Sequence, residues 1–282
     1  MGPASWRSWQ GVLVLGSLIA LLVFWAAGGT GSVTDPRTIL MVLAVFLGSV
    51  VVGATGFGSA AVAGALMLFW LLPLTAVPIL LAASLTTQLV SMGQLWRVLR
   101  WRGCVPFVIG GLIGMPFGVL LLEHADPDSF RLAFGVFLIC WSGYLLLRPE
   151  LQFKRRGAFA DGLVGVTGGI TGGAIAFPGA VPAIWCAMTG RAKEEQRGTT
   201  QMFILVMQFC TLVYLVASGA VGRGFLADYL YCLPAIFIGT FIGVLLFAMI
   251  DEALFRQLVL VLLLLAGTTH FITVIARWKF TA

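Results

Sequence analysis

The stretch from Gly165 to Pro182, GVTGGITGGAIAFPGAVP, sets the hardest constraint on this chain. Apart from its glycines and two prolines its residues are almost all apolar. Hydrophobicity therefore asks for a buried helix where backbone chemistry opposes an uninterrupted one. A helix broken inside an apolar bundle is the expected outcome. A related stretch comes earlier: Val52 to Ala60 reads VGATGFGSA, beside VGVTGGITG at Val164 to Gly172, and both contain Val-Gly-x-Thr-Gly. We read the two as copies of one functional element.

The rest of the chain says what surrounds these breaks. It is 60% hydrophobic and 10% charged, where a soluble domain carries roughly a quarter charged residues, and its mean hydropathy is +1.04. Its apolar runs approach the length of about 20 residues that a helix needs to cross a hydrocarbon core. The alternation of a membrane barrel is absent. The expected fold is all-α, a polytopic membrane bundle, because in lipid each segment must satisfy its own backbone. The net charge of +6 lies in short loops between apolar runs, so it reports orientation in a lipid bilayer and no nucleic-acid partner is expected. Cys104, Cys140, Cys186, Cys210 and Cys232 are scattered without a CxxC pair or a neighbouring His cluster, which predicts neither disulfides nor a metal site. No phosphate loop, HExxH or nucleophile elbow occurs, so neither an enzyme nor a cofactor is expected.

The chain divides into an N-terminal helix and linker (1–36), a first repeat (37–148), a basic linker (149–158) and a second repeat (159–282). The helix, Gln10 to Gly28, is read as retained. The repetition is visible residue by residue. Thr86-Thr87-Gln88 matches Thr199-Thr200-Gln201. At a constant offset of 125, Gly114, Gly118, Asp126, Phe130 and Arg131 match Gly239, Gly243, Asp251, Phe255 and Arg256. About five segments per repeat, an odd number, make the second copy enter from the opposite side. With Arg97 to Arg102 and Arg148 to Arg156 in the cytoplasm, Glu123 to Asp128 fall outside and Arg191 to Arg197 inside. Arg277 and Lys279 then land outside, against the rule.

Inverted repeats with broken or re-entrant helices at matching positions predict a transporter with its substrate near the midplane. A helix that starts inside the membrane leaves unpartnered N–H groups and about half a positive charge, which hold an anion without a full cation in lipid. Glycines there allow close approach of a substrate, or simply close helix packing. On the following span Ser84, Thr87, Gln88 and Ser91 share a face, as do Arg197, Gln201, Gln208 and Thr211. We expect substrate contact from Gln88 and Gln201. Arg197 is either a counter-charge or a loop residue like Arg191 and Lys193. Asp161 reads as a solvated residue at the membrane edge, and His270 as a packed one.

With both breaks, the Gly-Gly-x-x-x-x-Pro run at Gly172 to Pro178 and the repeats in hand, the chain resembles the TauE/SafE family of sulfite and organosulfonate permeases. The resemblance runs from about Leu40 to Ala276. It implies a bacterial inner-membrane carrier of small sulfur-containing anions such as sulfite, sulfonates or sulfoacetate. It places the substrate at Gly53, Thr55, Gly56, Phe57 and Gly58 in one half and at Gly165, Thr167, Gly168, Gly169, Thr171, Gly172 and Gly173 in the other. Where the family pattern has an uninterrupted glycine triplet, this chain has Gly168-Gly169-Ile170-Thr171-Gly172-Gly173.

Overall fold

A computed structural model describes residues 35–55, 58–95, 101–147, 157–249 and 252–281. The N-terminal helix, Arg97 and Arg100, most of the basic linker, and Gly56 and Phe57 lie outside them. The described residues form ten helices and no strand: α1 (Pro36–Thr55), α2 (Ser59–Met67), α3 (Pro73–Leu95), α4 (Trp101–His124), α5 (Pro127–Leu147), α6 (Ala158–Ile175), α7 (Ala180–Met188), α8 (Lys193–Ala217), α9 (Phe225–Met249) and α10 (Glu252–Thr281). Two helices start on the same local device. Asp35 accepts the Arg37 N–H at 3.1 Å, and Asp126 accepts the Asp128 and Ser129 N–H groups at 3.1 Å each. In both cases proline follows the capping aspartate, where its missing N–H costs nothing.

Eight of the helices are long and apolar enough to cross a membrane; α2 and α7 are not. Those two have nine residues each, about 14 Å of helix. Each returns toward the face from which its predecessor came. At the end of α7, Trp185 Nε1 donates to Asp161 Oδ1 at 2.8 Å and Arg191 Nη2 donates to Asp161 Oδ2 at 2.5 Å, so the returning arm closes on the first turn of α6. Likewise α2 runs back along α1, close enough that a Cβ on Gly48 would meet Ser59 O at 2.7 Å and Ala63 Cβ at 3.0 Å. Arg131 at the start of α5 then donates to Leu68 O and Leu71 O at 2.7 and 3.4 Å, holding the end of that arm. The α1–α2 and α6–α7 pairs are thus re-entrant hairpins that enter from opposite faces.

Pairing between the two halves is symmetric. Helix α1 packs on α9 and α4 on α6, while α3 meets α8 and α5 meets α10, a pattern unchanged when the repeats are exchanged. The first two pairs are backbone on backbone. A Cβ built on Gly110, Gly114 or Gly118 would fall onto Gly162, Val166 or Ile170 of α6, and one on Gly165, Gly169 or Gly173 onto Phe107, Gly111 or Met115 of α4. Residue numbers rise together, so the two helices are parallel. Gly53, Gly239 and Gly243 do the same between α1 and α9, against Thr240, Phe46 and Val50. Small residues at such contacts let helices approach where lipid supplies no hydrophobic drive.

The glycines therefore do not break α6, contrary to the expectation from their backbone freedom. The helix runs through them to Ile175 and stops where Ala176 turns left-handed (φ 57°), with the Ala176 N–H bonded to Gly172 O and the Phe177 N–H to Thr171 O. In the first hairpin the left-handed residue is Gly58 (φ 92°), directly before α2. Helix ends coincide when numbers are shifted by 120, Thr55 with Ile175 and Pro73 with Lys193. The two Val-Gly-x-Thr-Gly motifs are consequently not equivalent: Thr55 ends α1, whereas Thr167 lies about two turns before the end of α6.

Gly169→Val, which drives a branched side chain into Gly111 of α4, should lower the thermal midpoint of the detergent-solubilised protein by an amount corresponding to about 1–3 kcal/mol, the usual cost of overpacking. Gly143→Ala on α5, where nothing lies within 4 Å, should leave the midpoint unchanged or raise it.

Candidate functional site

Both hairpin tips contribute to one small cavity, of 20 Å³. Its walls are Val52 from α1, Gly58, Ser59 and Ala60 at the start of α2, Ser84, Thr87 and Gln88 from α3, Phe177 at the second break, and Ile204 and Gln208 from α8. That volume is about what one water molecule occupies. The described walls carry no charged residue.

Polarity comes from three sources. Helix α2 starts here without any side-chain cap, so its first amides point into the site with the positive end of the helix dipole. The hydroxyls of Ser59 and Ser84 share a hydrogen bond of 2.7 Å, and Thr87 Oγ1 donates to Ser84 O at 2.8 Å. Two carboxamides complete the set. Gln88 is 6% exposed and Gln208 4%, and Oε1 of each has no hydrogen-bond partner among the described residues. Leaving a buried polar atom unmade costs on the order of 1–3 kcal/mol, and the two ends of a carboxamide exchange by a half-turn, so each can offer a donor or an acceptor.

Part of the wall is Phe177, buried and held edge-on by Trp141 (4.8 Å between centroids) and Phe137 (6.1 Å) of α5. The second break itself is pressed onto α8, since a Cβ on Gly179 would collide with Ile204, and one on Gly168 would lie 2.9 Å from both the Phe203 ring and Pro178 O.

Of the substrate residues expected from sequence, Gly58 and Gln88 line the cavity, together with Ser84, Thr87 and Gln208 of the two polar faces. Thr55 ends α1, and Gly56 and Phe57 lie outside the described residues. Gly53, Gly165, Gly169 and Gly173 sit in helix contacts, while Gly168 and Gly172 face Phe203 and Pro178. Thr167 is exposed with its hydroxyl on Val164 O, and Thr171 donates to Thr167 O and Gly168 O and lines a separate apolar cavity beside α5. Gln201 is half-buried and is not part of the cavity wall, and Arg197 is exposed near the start of α8. Under the shift of 120 the counterpart of Gln88 is Gln208, and that of Ser84 is Ile204. Gln208 was visible on the polar face of α8, but the Thr-Thr-Gln match drew attention seven residues away.

Sequence reasoning also missed a buried ion pair. Asp161 is 8% exposed and bound by Trp185 and Arg191, rather than solvated, and the Arg191 guanidinium lies 5.3 Å from the centroid of the Phe107 ring. His270 is packed as expected, stacked on Phe69 with Nε2 2.9 Å from Ala65 O. On the opposite face a larger vestibule, of 440 Å³, opens between the starts of α1, α3 and α9, with Asp35, Arg37 and Asp228 at its rim and Pro78 and Ile79 in its wall. Ile79 precedes Ser84 by five residues, about 7.5 Å along α3.

Comparison with known proteins agrees with this architecture. Residues 40–269 match the family described as "Sulfite exporter TauE/SafE". The chain belongs to that family. Within it, the chain is similar to a probable inner membrane transporter protein, TsaS, of Comamonas testosteroni, at 26% identity over 183 residues covering 62% of this chain and 74% of the relative. No solved structure matches. The protein is a multi-pass membrane transporter of the TauE/SafE family, whose members are transporters and not enzymes.

Gln88→Leu and Gln208→Leu each remove a buried, unsatisfied amide. Each should leave the ligand-free thermal midpoint unchanged or raised, and abolish the rise that an anionic ligand gives to the parent protein. A fall in the ligand-free midpoint would mean that the amides only join helices.

Proposed function

We propose that this TauE/SafE protein is a secondary carrier of small sulfur-containing monoanions, sulfite-derived or organosulfonate, working by alternating access around the cavity between its hairpin tips. One observation carries the reading: two buried carboxamides, related by the inverted repeat, face a neutral cavity at the uncapped start of a helix. The family description adds sulfite as the expected chemistry.

Charge narrows the substrate further. A helix start contributes about half a charge and falls off within a turn. Against it, an anion leaving water for a dry cavity loses several kcal/mol or more. One negative charge shared among amides and hydroxyls suits that balance, whereas a dianion would need a cation that the described walls do not supply. Three sulfonyl oxygens also accept more donors than a carboxylate of similar size. The cavity is too small for such an anion in this conformation, so loading requires the tips to separate. The vestibule beside α1 and α3 lies on the face that the positive-inside rule assigns to the exterior, and the Asp161–Arg191 pair closes the other. The state described is therefore closed toward the cytoplasm.

In liposomes containing the purified protein, flux of labelled sulfite, methanesulfonate or an aromatic sulfonate should saturate and be accelerated by the same anion on the far side. The preferred anion at a hundred times its Kd should stabilise the protein by about 2.7 kcal/mol, while sulfate and chloride give no comparable shift. Flux that neither saturates nor shows counterflow would identify a passive channel instead.

A further inference from the structure

Each hairpin is tied down at its returning end by an arginine, and the two arginines are used differently. Arg131 spends all three nitrogens: Nε on Leu68 O, Nη2 on Leu71 O and Nη1 on Asp128 at 2.9 Å. Arg191 spends one. Its Nη2 holds Asp161, while Nε and Nη1 are buried with no hydrogen-bond partner among the described residues, although the side chain is only 2% exposed. The Phe107 ring beneath offers a π face but no acceptor atom. A clamp has no use for idle donors, and buried donors are ordinarily paired.

We infer that Arg191 is a second anion station, on the cytoplasmic side of the cavity, and that Asp161 occupies it whenever the transported anion is absent. This rests on the anion-transport reading above. A sulfonate or hydrogen sulfite leaving the cavity pairs its oxygens with Nη2 and the neighbouring Nε or Nη1, a fork whose shared nitrogen Asp161 holds in its absence, since guanidinium groups bind such oxyanions through paired N–H donors. Phe107 and Trp185 flank the site as apolar walls. Because Asp161 and Arg191 close the α6–α7 hairpin on itself, exchange of carboxylate for substrate also frees the end of α7. Binding at the station and opening of that face are then one event.

The test uses the full chain in vesicles of each orientation, with labelled sulfite and labelled methanesulfonate as probes. Asp161→Asn removes the competing carboxylate and should lower the half-saturating anion concentration at the cytoplasmic face by threefold or more, leaving the opposite face unchanged. Arg191→Gln should raise it tenfold or more at the cytoplasmic face. The exchange Asp161→Arg with Arg191→Asp retains an ion pair but puts the cation on α6, and should show the same raised half-saturation at the cytoplasmic face as Arg191→Gln. Parental half-saturation in the exchange, or unchanged half-saturation in Asp161→Asn, would show the pair to be a clamp only. Should the exchange fail to fold, the neutral pair Asp161→Asn with Arg191→Gln decides: it keeps a side-chain hydrogen bond, and parental half-saturation in it overturns the inference. Absence of flux in the parental protein would instead overturn the transport reading, so the two failures are distinguishable.

Discussion

Contact between glycine backbones across the two repeats is what the rest of this structure depends on. Lipid tails are as apolar as leucine, so helices in a bilayer gain little by hiding leucine from them and associate through close van der Waals packing instead. Here the ladders Gly110, Gly114, Gly118 and Gly165, Gly169, Gly173 bring α4 and α6 together without intervening side chains, and Gly53, Gly239 and Gly243 do the same for α1 and α9. The ingoing arm of each hairpin is consequently fastened to the opposite repeat. The packed units are not the sequence halves. They are mixed, one containing α1, α2 and α9 and the other α4, α6 and α7, with α3 crossing α8 between them. Under the alternating access proposed above, the motion separates these mixed units, since sliding within either would drive a Cα or carbonyl through its neighbour.

That arrangement also explains why the site is neutral. Its walls come from both units, Gly58 and Ser59 from one and Phe177 from the other, with Gln88 and Gln208 from the crossing pair. Under the proposed function, a fixed cation at such a junction would hold the anion in every conformation and demand a new partner once the anion left. Amides and hydroxyls bind more weakly, and the hydroxyls can pair with one another, as Ser59 and Ser84 do. The structure keeps its full charges at the two faces, where Arg131 and Arg191 secure the returning arms.

Fold class, the presence of two helix breaks and the inversion of the repeats were legible in the sequence, from hydropathy, glycine and proline content and a count of segments; whether the broken pairs span or re-enter was not. Nor was register. The Val-Gly-x-Thr-Gly match slid eight residues along α6, and the Thr-Thr-Gln match chose Gln201 over Gln208, seven residues on. Eight and seven residues are each about two helical turns, so both errors preserved the helix face and were invisible to any argument from periodicity. A glycine ladder repeating every four residues is degenerate in just this way. What separates the alternatives is where the helix ends, and α6 ends not at a glycine but at Ala176 in a left-handed conformation, which composition does not announce. Asp161 was misplaced for a related reason. Its position near a span end suggested solvent, and only the return of α7 brings Arg191 and Trp185 over it.

The same return resolves an anomaly of charge. Orientation by loop charges puts Arg277 on the outer face, where a cation is disfavoured. In the folded chain Arg277 lies 3.4 Å from Asp128, which also holds Arg131. Two arginines thus share an acidic loop that carries Glu123, Asp126 and Asp128, and the outer face is not basic in net terms. The sorting rule counts charges during insertion, before these partners meet, so a violation late in the chain weighs less than the clusters that precede it. The contrast with the other face is chemical. There the buried cation has one carboxylate and two idle nitrogens, while here Arg131 and Arg277 are both anchored at Asp128. Under the transport reading proposed above, Arg131 on the outer face has its nitrogens committed, whereas Arg191 on the cytoplasmic side keeps donors that only a side-chain carboxylate contests.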